Sequence, residues 1–351
     1  MGLGAAITVD GQTDVELAEA AAVEVYEQIG EPATFALHYP VSIEEADLPR
    51  LIDSRLDPGK EIAIYVPVAS GAECLIKGPV HAQQIHFEHG GAGSTVAVIG
   101  SDSSIMMDRE TRTVQWADVT DDAAVSTILG NYSYTPDLES TNGSHSEAQH
   151  TLIQRDSDLR FVRRLAARNG FFFWVTCDAN GVEAAHFKRI VLDGEPAAKL
   201  VINIDPPNLQ SLDISWDVER PTSVIGAQLD LGTLENIDGA VPQTPLTILG
   251  TQSLSAIASD TRSVHILAPA DDAGALQARG EGALVESDWF IRATCTTSLH
   301  ELGGLVRSHT VVELQGVGTR YSGYYLVAAV HHRIDAAKHQ MDVTLLKNGW
   351  G

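Results

Sequence analysis

The densest set of possible metal ligands is HAQQIHFEHGG, which puts His81, His86 and His89 beside Glu88. Three imidazoles and a carboxylate are chemically adequate for a metal ion. The spacing, however, is that of a strand. Period two places His86 and Glu88 on one face and Phe87 and His89 on the other, so the four do not converge. His331 and His332 are adjacent and diverge for the same reason. The following GGAGSTVAVIG lacks the lysine of a phosphate-binding loop and the third glycine of a dinucleotide fingerprint, so Gly91 and Gly93 read as a hairpin turn. No GxSxG elbow occurs, and no cysteine sits in an electropositive loop beside a histidine. Cys74, Cys177 and Cys295 lie about a hundred residues apart in apolar settings; the spacing predicts reduced, buried thiols rather than disulfides or a zinc site. The expectation is a chain with no catalytic residue, metal or cofactor.

Chemistry of another kind is offered by SDLRFVRRLAARNGFFFW, where Arg160, Arg163, Arg164 and Arg168 are followed by four aromatic residues. Nucleic-acid readers also interleave the two types, on one exposed surface. In this stretch Leu159, Val162, Leu165 and Ala166 form an apolar helical stripe with the arginines mostly off it. Asp156 or Ser157 is a good N-cap, and Asn169 with Gly170 a good stop. The aromatic residues belong to the next strand, Phe171, Phe173 and Val175 on one face and Phe172 and Trp174 on the other. The stretch therefore reads as a capped amphipathic helix leading into a buried strand.

The chain around them is acidic, with formal charge −24 from 47 acidic and 23 basic side chains. Such a surface repels phosphate backbones and anionic membranes. No run of eighteen apolar residues occurs, so no membrane span is expected, and MGLGAAITVDGQTD has neither the basic nor the apolar region of an export signal.

Short alternating segments dominate. ITVDG, VEVYE, ATFALHY, EIAIYVP, LIKGPVHAQQIHF and STVAVIGSD read as strands, with a helical turn in VSIEEADLPRLID. Residues 1–106 are expected to form a first β domain, completed by 205–240, where SLDISWDVE and TSVIGAQLD supply two strands. Residues 107–204 read as an α+β insertion, with a helix opening at Thr120 and another at Ser157. Residues 241–351 read as a second β domain led by a helix over DDAGALQARGEGALVESDW and continued by four strands. The fold class is mainly β with an α+β insertion.

The helix SDLRFVRRLAARNG running into FFFWV resembles the corresponding unit of phage late-control D proteins and VgrG-type baseplate hubs. ITVDG, LIKGPVHAQQIHF, the stretch from VAVIGSD to the helix DDAAVSTIL, and HTVVELQGVGTRYSGYYLVAAVHHRI are similar to further segments of that family, in the same order. The resemblance implies two tail-tube-like β-barrel domains per chain and a pseudo-sixfold homotrimer, and in so acidic a trimer Arg160, Arg163, Arg164 and Arg168 are expected to pair with carboxylates of the same or a neighbouring subunit. Its implied function is a structural adapter between a hexameric inner tube and a trimeric spike, assembled in the cytoplasm into a phage tail or tail-like injection particle. Implied partners are further copies of itself, the inner tube protein, a spike protein and other baseplate proteins, with no direct nucleic-acid binding. VgrG chains continue into an OB-fold and a β-helical spike, whereas LLKNGWG follows directly on the second β domain. The expectation is a spike on a separate polypeptide. The competing reading, from strands, tryptophans and carboxylates, is an extracellular carbohydrate-binding or wall-degrading β protein.

Overall fold

The computed structural model describes residues 4–41, 48–69, 71–89, 93–147, 151–229, 236–238, 241, 244–258, 260–266 and 273–351. Seven strands come first: β1 (Ala6–Val9), β2 (Gln12–Thr13), β3 (Ala22–Gln28), β4 (Thr34–Pro40), β5 (Glu61–Val68), β6 (Gly71–His86) and β7 (Thr95–Ser101). Alternation decides their faces. Val23 and Val25 of β3 and Phe35, Leu37 and Tyr39 of β4 are buried with Ile62, Ile64, Val96 and Val98 in one core. Each such side chain stabilises the fold by about 1.5–3 kcal/mol through burial. Of the helical turn expected over 41–53, residues 42–47 lie outside the described residues; short 3-10 turns occupy Pro49–Leu51 and Ser54–Leu56. The turn expected at Gly91 also lies outside them.

The insertion holds β8 (Val114–Trp116), β9 (Val119–Thr120), α1 (Asp121–Leu129), β10 (Thr135–Leu138), β11 (Ser144–His145), β12 (Leu152–Gln154), α2 (Asp158–Arg168), β13 (Phe172–Cys177) and β14 (Glu183–Lys188). Both helices start where the sequence puts them. The Thr120 hydroxyl accepts from Ala123 N and the Ser157 hydroxyl from Arg160 N, with aspartates in each first turn. Gly170, at φ +66°, ends α2. Leu159, Phe161, Val162 and Leu165 pack with Phe171, Phe173 and Phe187 in a core of their own.

The remainder comprises β15 (Ala198–Val201), β16 (Ser211–Trp216), β17 (Ser223–Leu229), β18 (Asn236–Asp238), β19 (Gln252–Ser253), α3 (Leu254–Ile257), β20 (Ser263–Ile266), α4 (Ala273–Ser287), β21 (Ile291–Ser298), α5 (Leu299–Leu302), β22 (Val311–Gln315), β23 (Gly323–Asp335), β24 (His339–Lys347) and β25 (Gly349–Trp350). Helix α4 crosses the end of α2 at a glycine. A Cβ on Gly282 would stand 2.7 Å from the carbonyl oxygen of Ala167, so any larger residue forces the helices apart.

Two closed barrels per chain are not what these strands build. Thirteen strands form a single open sheet, with the path β16-β21-β24-β23-β3-β4-β7-β6-β5-β1-β2 and β22 and β15 branching from β23. The halves meet where β3 pairs antiparallel with β23, from Gln28 opposite Ala329 to Ala22 opposite Asp335. That pairing uses the strand edges on which separate barrels would have closed. The mainly β class with an α+β insertion stands. Residues 205–240, expected to complete the first β unit, go elsewhere: β16 pairs with β21, while β17 joins β18 and β20 in a small separate sheet.

The thiol expectation also fails for two cysteines. Cys74 of β6 and Cys177 of β13 form a disulfide with Cα atoms 5.7 Å apart, and only Cys295 is free, buried. Spacing along the chain carries no signal of a pair brought together by two different units.

Two predictions follow from this architecture. The disulfide spans 103 residues, so reduction, or Cys177→Ala, should lower unfolding free energy by about 3 kcal/mol in urea titration. Thiol titration of the unreduced, unfolded chain should find one reactive thiol. In the core, His332 Nδ1 and His339 Nε2 lie 3.0 Å apart. Burial holds His332 well below the ordinary histidine value and His339 at about 4. An unfolded histidine titrates near about 6.5, so the stabilisation from keeping His339 neutral is complete above that pH and is lost as pH falls toward 4. Asp102 and Asp288, pushed up to about 6 by burial, act in the opposite sense over the same window. The histidine part is therefore read as a difference: the stability advantage of wild type over His339→Asn should shrink by about 2 kcal/mol between pH 7 and 4.5.

Candidate assembly interface

The α2 arginines each meet a carboxylate of their own chain. Arg160 Nε is 3.2 Å from Asp108, Arg163 donates to Glu31, Arg164 is 3.2 Å from Asp156, and Arg168 donates to Asp121. Arg168 and Asp121 are the most enclosed of these, with Asn169 Nδ2 also donating to Asp121. Arg163 reaches out of the insertion to the loop after β3. Arg164 also lies over the Phe161 ring, 5.3 Å from its centroid. Arg160 is largely exposed, where an ion pair contributes about 0–1 kcal/mol.

The stronger contact between units was not singled out in the sequence. Glu27, on the buried face of β3 and only 4% exposed, accepts from Arg307 Nε at 2.7 Å and from Ser308 N at 2.9 Å. The other two guanidinium nitrogens donate to the carbonyls of Cys74 and Leu75 in β6, at 2.9 and 2.8 Å. One side chain from the second half thus fastens two strands of the first. Beside it the Trp174 ring stacks between His186 and His309, centroids 4.6 and 4.3 Å away. Glu27 leaves a trace in the sequence, an acidic residue continuing the apolar phase of Val23 and Val25. Arg307 sits in a loop with no periodicity and leaves none.

This junction surrounds a cavity of ≈ 350 Å³ lined by Glu27, Lys77, Asp102, Glu183 and both of these histidines. Its polar groups are mostly committed to one another. Lys77 donates to the Gly181 carbonyl and lies 3.3 Å from Glu183, and Asp102 accepts from Ala33 N and Ser104 N. Ser308 Oγ is 2.9 Å from His309 Nδ1, a spacing that could serve a nucleophile and base. Burial depresses His309 to about 3, far from the value that suits a general base near neutral pH, and its Nε2 has no partner among the described residues. His81 Nε2 lies against Ser101 Oγ and His86 near Glu88 at 3.4 Å. Among the described residues no group of three or more His, Cys, Asp or Glu is placed to hold a metal ion.

Two strands of the sheet carry unpaired backbone, one inside the path and one at its end. β6 pairs with β5 as far as Pro79, passes a bulge between Val80 and Ala82, and then pairs only with β7 up to His86. Residues 81–86 therefore have one unpaired edge among the described residues, and Ile85 and Phe87 beside it are 45% and 54% exposed. β16, the last strand at one end of the path, pairs only with β21 among the described residues. Unpaired edges bond readily to another strand.

This open, mainly β sheet carrying an α+β insertion is similar in fold to tail proteins and to a type VI secretion component. The chain superposes along 100% of its length on a tail protein from Neisseria meningitidis MC58, covering 98% of that chain at TM-score 0.68 and 13% identity. Against the 43 kDa tail protein of prophage MuSo2 from Shewanella oneidensis the coverage is 98% of both chains, at TM-score 0.68 and 12% identity. Against the E. coli c3393 protein, a type VI secretion component described as structurally similar to phage T4 tail proteins gp27 and gp5, it is 97% of this chain and 76% of that one, at TM-score 0.61 and 12% identity. Identities this low make the likeness one of fold, and at that level the hub resemblance read from the sequence holds. No curated protein matches the sequence. Residues 4–194, more than half of the chain, match the model of the Alg8 N-terminal domain, and the chain belongs to that family.

Replacing Glu27 by alanine strands the Arg307 guanidinium against two carbonyls and is expected to cost about 3–5 kcal/mol. Chemical unfolding followed separately by tryptophan fluorescence and far-UV circular dichroism measures the loss. A cost below about 1 kcal/mol would mean the clamp is not what joins the halves.

Proposed function

We propose that the protein is the structural baseplate hub of a phage tail or contractile injection particle. Three copies associate as a homotrimer that joins the hexameric inner tube to a trimeric spike and contacts other baseplate proteins. The observation that carries this reading is the open sheet with two unpaired strand edges, one on β6 past its bulge and one on β16. A chain with free edges on two different strands of one sheet is suited to head-to-tail association around a closed symmetry axis. The likeness of fold to tail proteins over the full chain supports the same reading. In it, residues 107–204 are an insertion held to the outside of the assembly, and synthesis and assembly take place in the cytoplasm. With a formal charge of −24 per copy, the ring repels nucleic acid rather than binding it.

Negative-stain imaging and native mass spectrometry of the purified protein, alone and with the particle's spike protein, test the proposal. The expected result is a ring-like trimer. Ile85→Asp combined with Phe87→Asp places charge beside the free edge of β6 and should leave a folded monomer with an unchanged melting curve. A wild-type chain that stays monomeric with its spike partner, or that releases sugar from peptidoglycan, overturns the proposal.

A further inference from the structure

Where the insertion leans on the second half of the sheet, the structure holds a cleft of ≈ 950 Å³ between α2, β13, β16, α4 and β21. Its apolar surface comes from Phe171, Trp216, Trp289 and Phe290. Trp216 stands 50% exposed at the mouth, whereas Trp289 is only 7% exposed. The indole N–H of Trp289 finds no acceptor among the described residues, a costly state for a buried donor unless something arrives to accept from it.

The charged residues of the cleft oppose the sign of the whole molecule. Arg160, Arg163, Arg164, Arg220 and Arg292 line it, against Asp217 and Glu286. Five of the 23 basic residues thus converge on one site in a chain of charge −24. Two of them are barely engaged. The side chain of Arg292, exposed on β21, has no hydrogen bond or ion pair among the described residues. The buried Nε of Arg220 makes no hydrogen bond and is 3.9 Å from Asp217. Bidentate guanidinium donors suit carboxylates, and the aromatic floor suits an aliphatic or aromatic side chain.

We propose that this cleft binds a short acidic peptide segment, carrying carboxylates and at least one large apolar side chain, from a separate polypeptide. The carboxylates meet Arg292 and Arg220, the apolar side chain lies on Trp216, and a carbonyl of the segment accepts from Trp289. A single-stranded nucleic acid offers anions and stacking faces too, but its charge continues beyond the cleft onto an acidic surface that repels it. A peptide confines its charge to the cleft. The proposal does not rest on the hub function and holds or fails independently of trimer formation.

The test uses the full-length protein and two fluorescein-labelled peptides, one alternating glutamate with leucine and one alternating lysine with leucine, with an oligothymidylate of similar length. Fluorescence anisotropy gives affinity, and sedimentation of the same samples gives oligomeric state. The expected result is binding of the glutamate–leucine peptide only, weakened about tenfold or more by Arg292→Glu and by Trp216→Ala. Lys338→Glu, an exposed charge reversal in the β23–β24 turn, should leave it unchanged. Circular dichroism melting should show both cleft variants folded. Absence of binding, equal binding of the lysine peptide, or affinity insensitive to both cleft variants overturns the proposal. Oligothymidylate binding with the same variant dependence would assign the cleft to nucleic acid instead. Displacement of the peptide as the protein self-associates would assign it to a second copy of this chain.

Discussion

A carboxylate on the core face of a strand is the constraint around which this molecule is arranged. Glu27 cannot be left buried and unpaired without a cost of several kcal/mol, and its place at the end of β3 is where the two halves of the sheet meet. Arg307 answers it from the second half and spends its remaining donors on β6. The backbone pairing of β3 with β23 fixes the register between halves, and the ion pair fixes the angle at which the following loop approaches. The insertion completes the junction with Trp174 between two neutral histidines. Three units with separate hydrophobic cores thereby share one polar joint.

How much of this was legible depended on whether a feature is local. Helices α1 and α2 were readable to their caps, because Thr120, Ser157 and Gly170 act on backbone groups within a few residues of themselves. The strands were readable because alternation is local too. Sheet closure was not. Whether a strand edge pairs within its own domain or with a strand three hundred residues away is decided by packing between units, and neither β3 nor β23 carries a mark of its partner. The same reason hid the Cys74–Cys177 bond, whose residues come from different units. Arg307 was invisible in a loop without pattern, while the α2 arginines stood out because four lie in one short helix.

The open sheet and the unevenness of charge belong together. A strongly acidic chain repels copies of itself at long range, so association must rest on surfaces where backbone edges or apolar residues outweigh that repulsion within a Debye length. The free edge of β6, flanked by Ile85 and Phe87, is one such surface. The arginine-lined cleft offers another, and its wall includes Trp216 of β16, the last strand at one end of the sheet. Backbone edges and side-chain chemistry thus meet at that end of the chain, while the free edge of β6 stands without such a cleft.

The Cys74–Cys177 bond has a mechanical meaning. It ties the aromatic strand of the insertion to β6 at the carbonyls that Arg307 grips, where β6 pairs with β5 and ahead of the β6–β7 hairpin, whose outer edge is free. A pull on the insertion would pass into β6 through a covalent link, and from there through Arg307 and Glu27 into β3, without first peeling the apolar contacts between the units. The exposed end of β6, past the bulge, lies beyond the point where that load enters. The hairpin edge can therefore stay free to bond to another strand while the part of β6 ahead of it bears tension.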